Sequence, residues 1–217
     1  LGCADEINTS ERSPGKMKQQ LQLIKNNSFR LLRMVNQLID YRKVEVNKMP
    51  LKASENDLID FLGNIIMLFT GVAKNRKIDL RLISDLEKFS MWFDPDMLDK
   101  VIFNLVSNSF KFTEDYGRIY IRVNTDEEKK NIIIEIEDNG IGIPQSELAQ
   151  IFEPFYQGKN QNGHGFGLGL ALSRELITAH QGSILVKSEE SKGTAFIIML
   201  PLGNNHLLPE QKRIQAD

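Results

Sequence analysis

The chain has a single cysteine, Cys3, close to its start, which rules out an internal disulfide and any cysteine-based metal cluster. Its three histidines are scattered, and neither His164 nor His180 has Cys or Asp partners at ligand spacing, so a histidine metal site is not expected. No apolar run approaches the roughly 20 residues of a membrane-spanning helix, and the opening residues Leu1 to Glu6 lack a signal-peptide pattern. Neither sign of charge dominates. With 27 basic and 29 acidic residues, a net charge of −2 and a pI near 6.0, there is no broad positive field to attract nucleic acid or anionic lipid. Also missing are an internal repeat, a Gly-x-Ser-x-Gly elbow and an initiator Met, the last of which suggests a piece of something longer. What is present, 217 residues with 41% hydrophobic content, suffices for one soluble domain plus an appendage.

Hydrophobic spacing orders the chain. Leu21, Ile24, Leu31, Val35 and Leu38 fall on a 3,4 spacing, with Leu32 and Ile39 widening the stripe. They predict a long helix from Met17 to Glu45, either a core helix or a bundle or dimer helix set off by the Asn47 to Pro50 break. Residues 1–16 are expected to be flexible. Ser54 followed by Asp57 reads as a cap for a second helix, with Leu58, Phe61, Leu62, Ile65, Leu68, Phe69 and Val72 as its core stripe. Ile78, Leu80 and Leu82 alternate like a half-buried strand, and Asp94 before Pro95 caps a third helix. Ile119, Ile121 and Val123 with Ile132, Ile134 and Ile136 predict an antiparallel hairpin. A helix over 169–180 ends at Gly182 and leads into strands over 183–188 and 194–200. This mixture implies an α/β sandwich over 48–203, a mixed sheet covered on one face by helices, behind the long helix of 17–47. The polar tail 204–217 is expected to be disordered or a linker.

Three polar and glycine-rich signals lie between Asp94 and Gly169. On the Asp94 helix, Asn104, Asn108 and Lys111 sit at i, i+4 and i+7, so two amides and an ammonium share a line; this is either a solvated face or a place where neutral oxygens meet Mg²⁺ and a cation meets phosphate. At the end of the Ile132 to Ile136 strand, Asp138-Asn-Gly140-Ile-Gly142-Ile143-Pro is in part an ordinary turn, but it places a carboxylate where it can accept from an exocyclic base amine. Gly163, Gly165, Gly167 and Gly169 open a helix whose amides can face phosphate. This is neither a dinucleotide fingerprint, because no strand precedes it, nor a P-loop, because His164 stands where Lys is required.

Together these residues resemble the ATP-binding catalytic domain of sensor histidine kinases, in the Bergerat-fold ATPase superfamily. Asn104 to Thr113 is similar to the N box, Asp138 to Pro144 to the first glycine box, and Phe152 to Tyr156 to the F box. Gly165, Gly167, Leu168, Gly169 and Leu170 fall in the second glycine box, and Gly193-Thr194 in the last glycine motif. The resemblance implies ATP and Mg²⁺ as ligands. Asn108 would hold the metal with Asn104 assisting, Lys111 would contact phosphate, Phe112 would lie by the ribose, and Asp138 would read the adenine amine. Ile143 and Ile151 would line the base, Thr194 would support Asp138, and the stretch between Phe155 and Gly165 would be a mobile ATP lid. Leu31 to Glu45 resembles the second helix of a dimerisation and phosphotransfer hairpin, most like hybrid two-component sensors. It implies a homodimer, a response regulator receiver partner, and a parent anchored at the bacterial inner membrane with this part on the cytoplasmic side.

Two departures stand out. No histidine precedes His164, so the phosphoacceptor is expected upstream of these residues. Gln157 occupies the place of a lid Arg, with Lys159 as the substitute. The alternative implied by these departures is a degenerate, non-catalytic kinase core serving as a nucleotide-gated interaction module. A third reading, a hydrolytic member such as a gyrase or chaperone ATPase, is disfavoured because Asn104 is a poor base.

Overall fold

The computed structural model describes residues 14–46, 49–158 and 166–213. Its centre is a five-stranded sheet of β2 (Asp79–Ser84), β4 (Arg118–Thr125), β5 (Asn131–Asp138), β7 (Gly193–Pro201) and β6 (Ser183–Glu189), in the spatial order β2-β4-β5-β7-β6. The hairpin expected from the isoleucine alternation is β4 and β5, paired antiparallel with Ile121 opposite Ile136. β7 and β6 continue antiparallel, while β2 joins β4 in parallel. Period-two alternation sends Ile119, Ile121, Val123, Ile132, Ile134, Ile136, Ile198 and Leu200 to one face, where all are buried. The opposite face carries Tyr120, Arg122, Glu135 and Glu137, and Arg122 ion-pairs Glu137 there.

Helices cover the apolar face: α2 (Leu58–Met67), α3 (Thr70–Arg76), α4 (Pro95–Phe112) and α5 (Gly169–Ala179). The architecture is the two-layer α/β arrangement the sequence predicts. α4 begins as expected, with the Asp94 carboxylate accepting from Asp96 N and Met97 N and Pro95 at the first helical position. Its buried arc of Met97, Leu98, Val101, Ile102, Leu105 and Val106 fixes its rotation, which leaves Asn104, Asn108 and Lys111 off the core.

Three expectations need correcting. Ser54 does not cap a helix: Ser54–Asp57 is a strand, β1, paired antiparallel with β3 (Ser90–Phe93) in a separate two-stranded sheet. Asp57 itself is the cap, accepting from Ile59 N and Asp60 N. Nor is the second helix continuous. It bends by 50° between α2 and α3, and Leu68 and Val72, read as core, are exposed. At the break Phe69 turns inward and stacks on Phe110 at 5.3 Å and against Phe103 at 5.1 Å, so burial of one aromatic ring outweighs helix continuity. Finally, the tail is ordered through Arg213. Leu207 is buried, and Ala53 N donates to Gln211 O while Arg213 N donates to Ala53 O, which lays the C-terminal segment beside the residues that enter β1.

The long helix, α1, runs Pro14–Glu45, starting three residues before the expected Met17. It packs against α5, Tyr41 and Val44 join the core, and Lys100 of α4 pairs with Asp40 at 2.6 Å. Leu21, Leu31, Leu32, Val35, Leu38 and Ile39, the stripe read from the sequence, are exposed. Among the described residues no single helix is long and apolar enough to cross a membrane.

Candidate functional site

Helix α4 is the spine that joins the three signals. Near its middle, Asn104 Nδ2 donates to Ser173 Oγ at 3.0 Å, and Ser173 in turn donates to the Gly169 carbonyl. That commitment aims the Asn104 oxygen at the first residue of α5, so closely that a Cβ on Gly169 would lie 2.3 Å from it. A side chain there would displace the Asn104 amide. Asn108, one turn on, is half-buried and makes no side-chain hydrogen bond among the described residues. Lys111 is exposed, with its ammonium 4.6 Å from the centre of the Phe112 ring.

At the C-terminal end of the same helix the Phe112 carbonyl accepts from Ile141 N at 3.2 Å, and a Cβ on Gly140 would fall 2.4 Å from that oxygen. The helix therefore holds the Asp138 loop directly. Asp138 ends β5 and is 6% exposed; its Oδ1 accepts from Gly140 N at 3.0 Å. Burial pushes its carboxyl above the ordinary carboxylate range, while the Gly140 N–H, Ser109 and the Thr194 backbone pull the other way. The Ser109 hydroxyl lies near this carboxylate without completing a well-formed hydrogen bond. It and the Thr113 hydroxyl one turn on are buried and have no hydrogen-bond partner among the described residues. Orphaned buried hydroxyls, of which Ser109 lies beside the carboxylate, are costly unless a water or a ligand polar group completes them.

Thr194 lies directly across the sheet from Asp138. Gly193 holds φ +116°, and a Cβ there would meet the Asp138 carbonyl at 2.0 Å; Gly142 at φ +68° would likewise collide with the Glu189 carbonyl. Ser188 Oγ accepts from Ile143 N at 2.8 Å, donates to the Gly193 carbonyl and lies 2.9 Å from Thr194 Oγ1, tying the loop after Asp138 to β6 and β7. A cavity of about 320 Å³ opens at this end of the sheet, lined by Asp138, Ser188 and Thr194 along with Glu137, Lys187 and Lys192.

Of the remaining candidates, Ile143 is half-buried, Ile151 and Leu168 are buried and Leu170 packs on the core. The buried Leu168 side chain leaves its backbone as the part able to face a ligand. Gly167 holds φ +70°, and its carbonyl accepts from Phe155 N at 3.0 Å, so the two sides of the intervening segment are pinched together. Lys159 and Gly165, like Gly163 and His164, lie outside the described residues. Sequence reasoning missed Ser109, Thr113, Ser173 and Ser188. Ser109 directly follows Asn108, but a lone hydroxyl carries no spacing signal. His180, set aside as a helix-end residue, is buried and structural: its Nε2 accepts from Asp94 N and its Nδ1 faces the Leu176 carbonyl.

The arrangement thus offers a buried carboxylate with donors and acceptors around it, a pair of carboxamides, a lysine and a glycine-bounded helix start, all carried by or touching one helix. Comparison with protein families matches residues 93–204 to the family described as histidine kinase-, DNA gyrase B-, and HSP90-like ATPase. Histidine kinase P4 of Formosa agariphila is 32% identical over 95% of this chain, and the chain spans 15% of that relative's length. It spans less than half the length of the other curated relatives compared with it. Among solved structures, the catalytic domain of histidine kinase ThkA is 27% identical with a TM-score of 0.63, covering 70% of this chain and 97% of that one. ThkA in complex with the response regulator TrrA aligns over 94% of this chain and 57% of that chain with a TM-score of 0.76 at 23% identity, a likeness of fold.

Proposed function

Because the chain belongs to the histidine kinase-, DNA gyrase B-, and HSP90-like ATPase family, we propose that it is the ATP-binding catalytic part of a two-component sensor histidine kinase. In this reading Asp138 accepts a hydrogen bond from the adenine amine, and Ser109 acquires a partner once the base and its waters are in place. Asn104 and Asn108 would hold Mg²⁺, whose charge would offset that of the phosphates. Hard, neutral amide oxygens suit that ion, and the Asn104–Ser173 hydrogen bond fixes one of them at the start of α5. Lys111 adds a cation for the phosphates. Positioning and charge neutralisation are what phosphoryl transfer chiefly requires.

The observation that carries the proposal is that α4 holds the Asp138 loop through the Phe112 carbonyl and touches the start of α5 through Asn104. Asn104 also bears on the type of reaction. A carboxamide cannot take a proton from water, so transfer to an imidazole is favoured over hydrolysis. The accepting histidine would lie on a hairpin helix paired with α1. The exposed stripe from Leu21 to Ile39 supports packing of that helix and its dimer mate against α1, a response regulator would receive the phosphoryl group, and the parent would be a membrane sensor. Incubation with γ-labelled ATP and a separate hairpin carrying a histidine should label the hairpin. Nucleotide binding without label transfer would contradict the kinase assignment.

A further inference from the structure

Arg76 ends α3 and belongs to none of the signals above, yet its guanidinium grips the far end of α4. Nη1 donates to the Phe110 carbonyl at 2.5 Å, Nη2 to the Thr113 carbonyl at 2.6 Å, and Nε to Asp115 Oδ1 at 2.8 Å. The Arg76 carbonyl accepts from Tyr116 N at 3.0 Å, which closes the contact from the other side. The last carbonyls of a helix lack partners within it and carry the negative end of its dipole. A planar cationic fork satisfies two of them at once.

Phe112 lies between the two gripped carbonyls in sequence. Its own carbonyl accepts from Ile141 N and bounds the space that Gly140 leaves empty. The Gly140 N–H in turn donates to Asp138. We infer that Arg76 is a positioning residue for base recognition: by fixing the 110–113 turn it sets the Phe112 carbonyl, and through it the Gly140–Ile141 backbone that orients Asp138. The inference rests on the adenine-nucleotide reading of the site. Asp115 is largely exposed, so its ion pair contributes little and the carbonyl contacts are the working part.

The test compares adenosine, ADP and Mg²⁺-ATP affinities of the wild-type chain with those of Arg76→Ala, Arg76→Lys and Asp115→Asn. Measurements are made at a temperature where circular dichroism shows each variant folded, with hydrogen exchange followed at the Ile141 amide. Arg76→Ala should weaken all three ligands by a common factor, roughly ten- to hundredfold, as expected for an ångström-scale misplacement of a recognition group. The Ile141 amide should exchange faster. Arg76→Lys should fall between, since one ammonium serves both carbonyls poorly, and Asp115→Asn should bind as wild type. A role in stability alone would lower the melting temperature and leave adenosine affinity of the folded protein unchanged, overturning the inference. Weakening confined to ATP would overturn it too. If Arg76→Ala does not fold, Arg76→Lys decides the matter by the same two readings. A wild-type chain that binds no adenine nucleotide would sink the functional reading and this inference together, whereas intact wild-type binding with insensitive Arg76 variants sinks only the inference.

Discussion

Acidification should destabilise this domain through one buried imidazole. His180, at the end of α5, is 3% exposed; it accepts the Asp94 N–H at 3.0 Å and contacts the Leu176 carbonyl through Nδ1 at 2.7 Å. Both bonds are satisfied by the neutral tautomer that is protonated at Nδ1. A proton on Nε2 would face the Asp94 N–H, and burial holds the imidazole pKa below its ordinary value of 6.5. With the folded value below the unfolded one, the contribution is fully present above the unfolded pKa. It is lost as pH falls, because the unfolded chain takes up a proton that the native state refuses. A proton taken up only by the unfolded chain can cost at most about 1.4 kcal/mol between pH 7.5 and 5.5. His206 shifts in the same direction and Asp138 in the opposite one, so the difference between wild type and a His180 variant is the informative quantity. Urea denaturation of wild type and His180→Gln at the two pH values supplies it. The variant should be less stable at pH 7.5 and should show a smaller loss of stability on acidification than wild type. An equal pH dependence in the two proteins would show that His180 titrates alike in both states, and the reasoning would fail.

Other perturbations test the frame around the site. Gly193→Ala forces a Cβ to within 2.0 Å of the Asp138 carbonyl at φ +116°, so urea unfolding should show a loss of at least about 1–3 kcal/mol, with weakened nucleotide binding. Gly71→Ala, in α3 with nothing within 4 Å, should be neutral or gain up to about 1 kcal/mol in the same assay. The break between α2 and α3 predicts unequal costs for neighbouring residues: Ile65→Ala should lose about 3 kcal/mol, and the exposed Leu68→Ala no more than about 0.5 kcal/mol. Equal losses at the two positions would mean that the helix continues as the periodicity first suggested.

The parts legible in the sequence were those in which one local rule acts alone. Isoleucine alternation gave the β4–β5 hairpin, and Asp94-Pro95 gave the start of α4, because the period and the cap are properties of a few adjacent residues. The candidate site residues stood out for a related reason: amides four apart on a helix and glycines two apart are spacings read from a few adjacent residues, and the structure brings Asn104, the Asp138 loop and the start of α5 together around α4. β1 was hidden because Ser-Glu-Asn-Asp has no apolar alternation; its pairing with β3 is a contact across more than thirty residues. The α2–α3 break was hidden because the gain lies in stacking Phe69 on Phe110, which periodicity cannot register. The same holds for the tail, where a single buried Leu207 and backbone bonds to Ala53 order a polar segment. Serine hydroxyls tie Asn104 and Ile143 in place, and their role emerges only from the geometry.

In the proposed site a buried aspartate reads an adenine base beside paired carboxamides that hold a divalent ion. Calorimetric titration of the chain with ATP, with and without Mg²⁺, and of Asp138→Asn under the same conditions, tests it most directly. Wild type should show saturable, Mg²⁺-enhanced binding, and Asp138→Asn a loss of roughly ten- to a hundredfold, the worth of a hydrogen bond to a charged group. Binding that ignores both Mg²⁺ and the substitution, or no binding by wild type, would contradict it.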